Sequence, residues 1–121
     1  MSMKKKIMIS LMHGTYGHHD DCYGAIQLAN AIVAKGGEVT LFLRSDGVYF
    51  AMKAQNPTGL GLPNNLAEIS DFLELGGTIK VDSNALTSRG LEPRDLIDEA
   101  EIMDSALAID LIEQHEFCLT F

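Results

Sequence analysis

Tryptophan is absent from the 121 residues, and cysteine occurs only twice. Two cysteines as distant as Cys22 and Cys118 make neither a secreted disulfide framework nor a CxxC metal knuckle. No long apolar run follows Lys4, Lys5 and Lys6, so neither a targeting segment nor a membrane partner is expected and a cytoplasmic location is. Basic side chains are also few: nine face 17 acidic ones, for a net charge of −8. Lys35, Arg44, Lys53, Lys80, Arg89 and Arg94 are scattered rather than striped, which excludes a nucleic-acid partner. No linker divides the chain, so residues 1–121 are expected to form one domain. At this length, a single core buries roughly two thirds of the unfolded surface and needs neither disulfide nor structural metal.

What is present reads as a repeated grammar. Lys6 to Leu11 (KIMISL) is a short apolar run, the pattern of a strand buried on both faces. From Asp20 the period becomes helical: Cys22, Ile26, Ala29 and Val33 form a stripe widened by Ala25, Leu28 and Ile32, and Gly36 with Gly37 ends it. Glu38 to Arg44 then reads as a strand. The sentence recurs with Leu66, Ile69, Phe72 and Leu73 on a helix, the pair Gly76 and Gly77, and the strand Thr78 to Val81. Between the two repeats, the sequence predicts a short helix over Val48 to Gln55 and a loop over Asn56 to Pro63. Pro93 to Ala100 and Ser105 to Gln114 read as helical, and Glu116 to Thr120 as a closing strand. The fold class predicted is α/β: a three-layer α/β/α sandwich on a mainly parallel sheet of about five strands.

In open parallel sheets, ligands bind beyond the carboxyl ends of the strands. The polar residues there are His13 to His19 after the first strand, Ser45, Asp46 and Gly47 after the second, and Asp82, Ser83 and Asn84 after the third. Asp46 and Asp82 are candidates for acid, base or anchoring roles, or equally for capping the helices that follow. The first loop resembles a phosphate loop but lacks its spacing, and Asp20 and Asp21 at the helix start repel phosphate. His13, His18 and Cys22 are candidate zinc ligands, although no physiological metal is expected. Cys22 is also a candidate nucleophile, opposed by the carboxylates beside it, with an inert core thiol as the blander reading. Cys118, between Phe117 and Leu119, reads as a core cysteine.

Taken in order, these landmarks resemble the DsrE/DsrF-like sulfur-relay family, including its TusD-type subunits. The resemblance rests on the first strand with its Tyr16-Gly17 loop, Ala25 to Lys35, and EVTLF followed by Asp46-Gly47-Val48. It continues with the Gly pair before the third strand, SRGL at Ser88 to Leu91, and the terminal Leu119-Thr120-Phe121. FLRSDGV and TSRGL are its most specific words. The resemblance implies a parallel α/β/α sandwich assembled as trimers or hexamers, and a persulfide-carrying cysteine just after the third strand that passes sulfur to a partner protein.

That cysteine falls at Asp82, and a second one found in some members falls at Ala85. A carboxylate cannot form the sulfur–sulfur bond of relay chemistry. The expected function is therefore a non-catalytic binding or assembly subunit, with a pocket of Tyr16, Asp46, Gly47, Asp82, Ser83 and Asn84 and no cofactor. The alternative is a sulfurtransferase-like carrier that uses Cys22 as nucleophile. A homo-oligomer is expected, with Val48, Tyr49, Phe50, Met52 and the Asn56 to Pro63 loop as candidate intersubunit patch.

Overall fold

The computed structural model describes residues 4–14, 21–55 and 64–121. Five strands, β1 (Lys6–Leu11), β2 (Glu38–Leu43), β3 (Thr78–Asp82), β4 (Glu101–Met103) and β5 (Phe117–Thr120), form one sheet in the order β4-β3-β2-β1-β5. Every neighbouring pair is parallel, with Ile7 opposite Val39 and Phe117, and Leu43 opposite Val81. Among the described residues, four α-helices connect them: α1 (Asp21–Ala34), α2 (Asn65–Glu74), α3 (Ser83–Ser88) and α4 (Ala108–Glu113).

Alternation along the strands sorts the apolar residues onto two faces. Ile7, Ile9 and Leu11 join Val39, Leu41, Leu43, Ile79 and Val81 beneath the buried stripe of α1 and the Ile69 and Phe72 side chains of α2. On the other face, Met8 and Phe42 meet Leu111 of α4, with Met103 and Ala108 alongside. The three-layer sandwich read from the sequence is thus the observed one. Its layers are unequal, because the second face is covered by a helix of only six residues.

The Gly pairs act as anticipated. Gly36 and Gly76 adopt φ of 93° and 96°, the left-handed region, where a Cβ is disfavoured. At each, two reverse hydrogen bonds close the helix: Gly36 to Val33 and Gly37 to Ile32, then Gly76 to Leu73 and Gly77 to Phe72. The SRGL word ends α3 in the same way, with Gly90 donating to Thr87 and Leu91 to Leu86.

Five expectations are corrected. The short helix expected over Val48 to Gln55 is a 3₁₀ helix that lies earlier, at Ser45–Ala51, and buries Val48, Phe50 and Ala51 together. Val48 and Phe50 therefore belong to the core and do not form an intersubunit patch, while Met52 is partly buried against the core. Pro93 to Ala100 makes only one 3₁₀ turn, Pro93–Asp95, and β4 follows. The chain is diverted because Ile97 N–H donates to the Ala51 carbonyl and Leu96 bridges to Met52, which seats Leu96 in the core. Leu28 stands at the rim of the α1 stripe and is exposed. Cys118 is exposed rather than core, because β5 is an edge strand whose four residues are all exposed. The Asn56 to Pro63 loop lies outside the described residues. No helix among the described residues is long and apolar enough to cross a membrane.

Candidate functional site at the carboxyl edge of the sheet

Since all strands run one way, their carboxyl ends gather Met12 to Gly14, Arg44 to Gly47, Asp82 to Asn84 and Met103 to Ser105 along one edge. The turn after β2 is set by two backbone facts. Ser45 holds φ at 50°, a left-handed conformation costing about 1–3 kcal/mol in a residue with a side chain. Gly47 lies so close to the end of β1 that a Cβ there would stand 2.0 Å from the Leu11 carbonyl oxygen. Only glycine lets this turn close onto β1. Asp46 is thereby presented at the edge, where Arg89 Nε and Nη2 donate to its Oδ1 at 3.0 and 2.9 Å. Arg89 also donates through Nη1 to the Ala85 carbonyl, tying the β2 turn to α3.

Asp82 occupies the N-cap position of α3 without making a side-chain cap bond. Its Oδ1 instead accepts a hydrogen bond from the Ser105 hydroxyl, linking the end of β3 to the segment after β4. Ser83 and Asn84 form the first turn of α3, Ser83 half-buried and Asn84 exposed. The structure thus brings Asp46, Gly47, Asp82, Ser83 and Asn84 to one edge, as the sequence predicts, but both carboxylates already have partners. Tyr16 and His18 lie outside the described residues.

Cys22 lies in the first turn of α1 with no accessible surface. Its Sγ lies 3.5 Å from the His13 carbonyl and 3.8 Å from that of Gly14, both acceptors for the protonated thiol. Burial, and secondarily the charge of Asp21, push its pKa up to about 12. A nucleophilic thiolate is disfavoured there. Asp21 also pairs with His13, whose Nδ1 is 3.0 Å from Oδ2. Among the described residues, no group of three or more His, Cys, Asp or Glu side chains could hold a metal.

Three residues of this edge escape the sequence reading. Ser105 and Met12 carry no signal at that level. Arg44 does carry one, a cation directly after a buried strand. It is half-buried, its Nη2 lies 3.2 Å from the Met12 thioether, and its Nε is enclosed without an acceptor. A buried donor left so costs about 1–3 kcal/mol. No carboxylate among the described residues forms an ion pair with it.

A cavity of about 450 Å³ opens at the opposite edge, at the amino ends of the strands, against Lys6, Thr40, Lys80, Gln114 and His115. His115 is fixed there between the Leu111 carbonyl, 2.6 Å from Nδ1, and the Thr40 hydroxyl, 3.0 Å from Nε2.

Comparison with known proteins agrees with this architecture. The protein MJ0989 of Methanocaldococcus jannaschii is 32% identical over 116 residues, spanning 96% of this chain and 99% of its own. The protein MK0008 of Methanopyrus kandleri is 27% identical over 115 residues, spanning 95% of this chain and 93% of its own. Among solved structures, the ychN protein from E. coli superposes with a TM-score of 0.82 at 21% identity, covering 98% of this chain and all of the other. MTH1491 from Methanobacterium thermoautotrophicum does so with a TM-score of 0.74 at 13% identity and the same coverage. These two likenesses show the fold. The profile of the DsrE/DsrF-like family matches residues 5–121, and the chain belongs to that family.

Proposed function

We propose that this protein is a non-catalytic member of the DsrE/DsrF-like family, a single domain over residues 1–121 that serves as a cytoplasmic binding or assembly subunit of a sulfur relay. The observation that carries the reading is the residue closing β3. The resemblance expects the persulfide cysteine there, and Asp82 stands in its place with its carboxylate engaged by Ser105. An oxygen nucleophile cannot hold sulfane sulfur, and Ala85 offers no second thiol.

The alternative carrier, Cys22, has no accessible surface and a raised pKa, so it would need local opening to meet a donor or an acceptor protein. A relay subunit without a thiol retains the crevice and the assembly surface. Its crevice is the carboxyl edge, with Asp46, Gly47, Asp82, Ser83 and Asn84, and its partner is a sulfur-carrying protein.

Assembly with copies of itself, as a trimer or hexamer, is supported by the apolar side chains left on β5 and α4. Phe117 and Leu119 on the edge strand and Ile109 and Ile112 on the outer side of α4 are exposed. An apolar edge strand in water invites pairing or coverage.

The test is to incubate the protein with a persulfide donor, alkylate it and map added sulfur by peptide mass spectrometry, in a Cys118→Ser background that removes the exposed thiol. No sulfur on Cys22 is expected. Sulfur on Cys22 that passes to a carrier protein would overturn the reading.

A further inference from the structure

We propose that the carboxyl edge of the sheet binds a small anion, a carboxylate or an inorganic oxyanion, on the guanidinium of Arg44; this rests on reading that edge as a binding crevice. Among the described residues, other charged groups of the edge have partners: Asp46 holds Arg89, His13 faces Asp21, and Asp82 accepts from Ser105. Arg44 has none of this kind. Among the described residues its side-chain hydrogen-bond partner is a thioether, a weak acceptor, and its Nε is enclosed without an acceptor.

A second orphaned group lies on the same face. Ser10 pairs in register with Phe42, and strand alternation places Met12 and Arg44 one row above that pair, toward the carboxyl edge. The Ser10 hydroxyl is buried and has no hydrogen-bond partner. Two adjacent strands therefore place the Arg44 Nε and the Ser10 hydroxyl, both enclosed without a hydrogen-bond partner, on one face near the edge where parallel sheets take their ligands.

The ligand class follows from the donor. A guanidinium is always charged and offers paired N–H groups in a planar fork, which two oxygens of a carboxylate, sulfate or phosphate match. Arg44 reaches this position because Ser45, in its left-handed conformation, turns the backbone away immediately after it while the Arg44 N–H stays bonded to the Leu11 carbonyl at 3.0 Å. The binding group is thus fixed at its base by sheet hydrogen bonding before any ligand arrives.

The experiment is an NMR titration of the side-chain Nε–H of Arg44 with sodium acetate and, separately, sodium sulfate, each against chloride at matched ionic strength. A saturable shift of that signal, together with the amides of Met12 and Ser45, is expected in at least one arm. The arm that saturates at the lower concentration distinguishes carboxylate from tetrahedral oxyanion. Arg44→Gln should weaken the amide response about tenfold or more, and Arg44→Lys, which keeps the charge and loses the fork, by less. No saturable shift in either arm, or an amide response unchanged in Arg44→Gln, would overturn the assignment; the first of these needs only the wild-type protein. An absent anion response with Cys22 still free of sulfur would remove the ligand class alone, whereas transferable sulfur on Cys22 would remove the binding-subunit reading itself.

Discussion

Arg44 and Asp82 follow the register pair Leu43 and Val81 on neighbouring strands, yet these opposite charges form no ion pair and engage different partners. Arg44 contacts Met12 on the β1 side, and Asp82 accepts from Ser105 beyond β4. The carboxylate thereby staples the short edge strand β4 to the rest of the sheet. Asp82→Ala is expected to lower stability by about 1.5 kcal/mol, the scale of a hydrogen bond to a charged group. Asp82→Asn, which keeps an acceptor, should cost less than half of that. Urea denaturation of the two variants checks the order.

Gly47 has no room for a side chain, since the obstruction is the Leu11 carbonyl, part of the sheet backbone, and cannot swing aside. Gly47→Ala is expected to cost about 3 kcal/mol, the upper range for forcing an added methyl group into packed structure. Thermal melting of the variant beside Gly24→Ala, where a Cβ meets open space, gives the comparison.

The two thiols should behave oppositely. Cys118 is exposed and should react with iodoacetamide in the folded protein at pH 8, while Cys22 should react only under denaturing conditions. Burial also gives Cys22 a stability signature. Its pKa rises from 9.0 to about 12 on folding, so between those values the unfolded chain releases a proton that the folded chain keeps. The contribution is therefore intact below pH 9 and is lost as pH climbs toward 12, with a slope of at most about 1.4 kcal/mol per pH unit. Cys22→Ala should lack this slope, which chemical denaturation across that window would reveal.

The apolar surface of β5 and α4 carries the assembly proposal. Phe117→Asp combined with Ile109→Asp should shift sedimentation at micromolar concentration from an oligomer toward the monomer without loss of helical circular dichroism. A wild-type protein that sediments only as monomer would remove self-assembly from the account.

Much of the fold was legible because its signals are local. The apolar run at Lys6 to Leu11 and the helix–Gly–Gly–strand order each rest on short-range sterics, and the structure realises both. β4 was not legible. Three residues, Glu101–Met103, carry no alternation, and the strand exists because Asp82, Leu96 and Ile97 anchor its surroundings through distant partners. The same limit applies to Cys118, since a residue between two large apolar neighbours on a strand looks internal until the sheet order places that strand at an edge. At the site, position along the chain points to Asp46 and Asp82, but only tertiary geometry reveals that both are engaged and that Arg44 has no carboxylate partner among the described residues.

The most direct test of the central claim compares sulfur loading in the wild-type protein with that in Asp82→Cys, both in the Cys118→Ser background, after exposure to a persulfide donor and then to a reduced carrier protein. The account expects the wild type to acquire no transferable sulfur and Asp82→Cys to acquire it at residue 82. Transferable sulfur on the wild-type protein at Cys22 would contradict it.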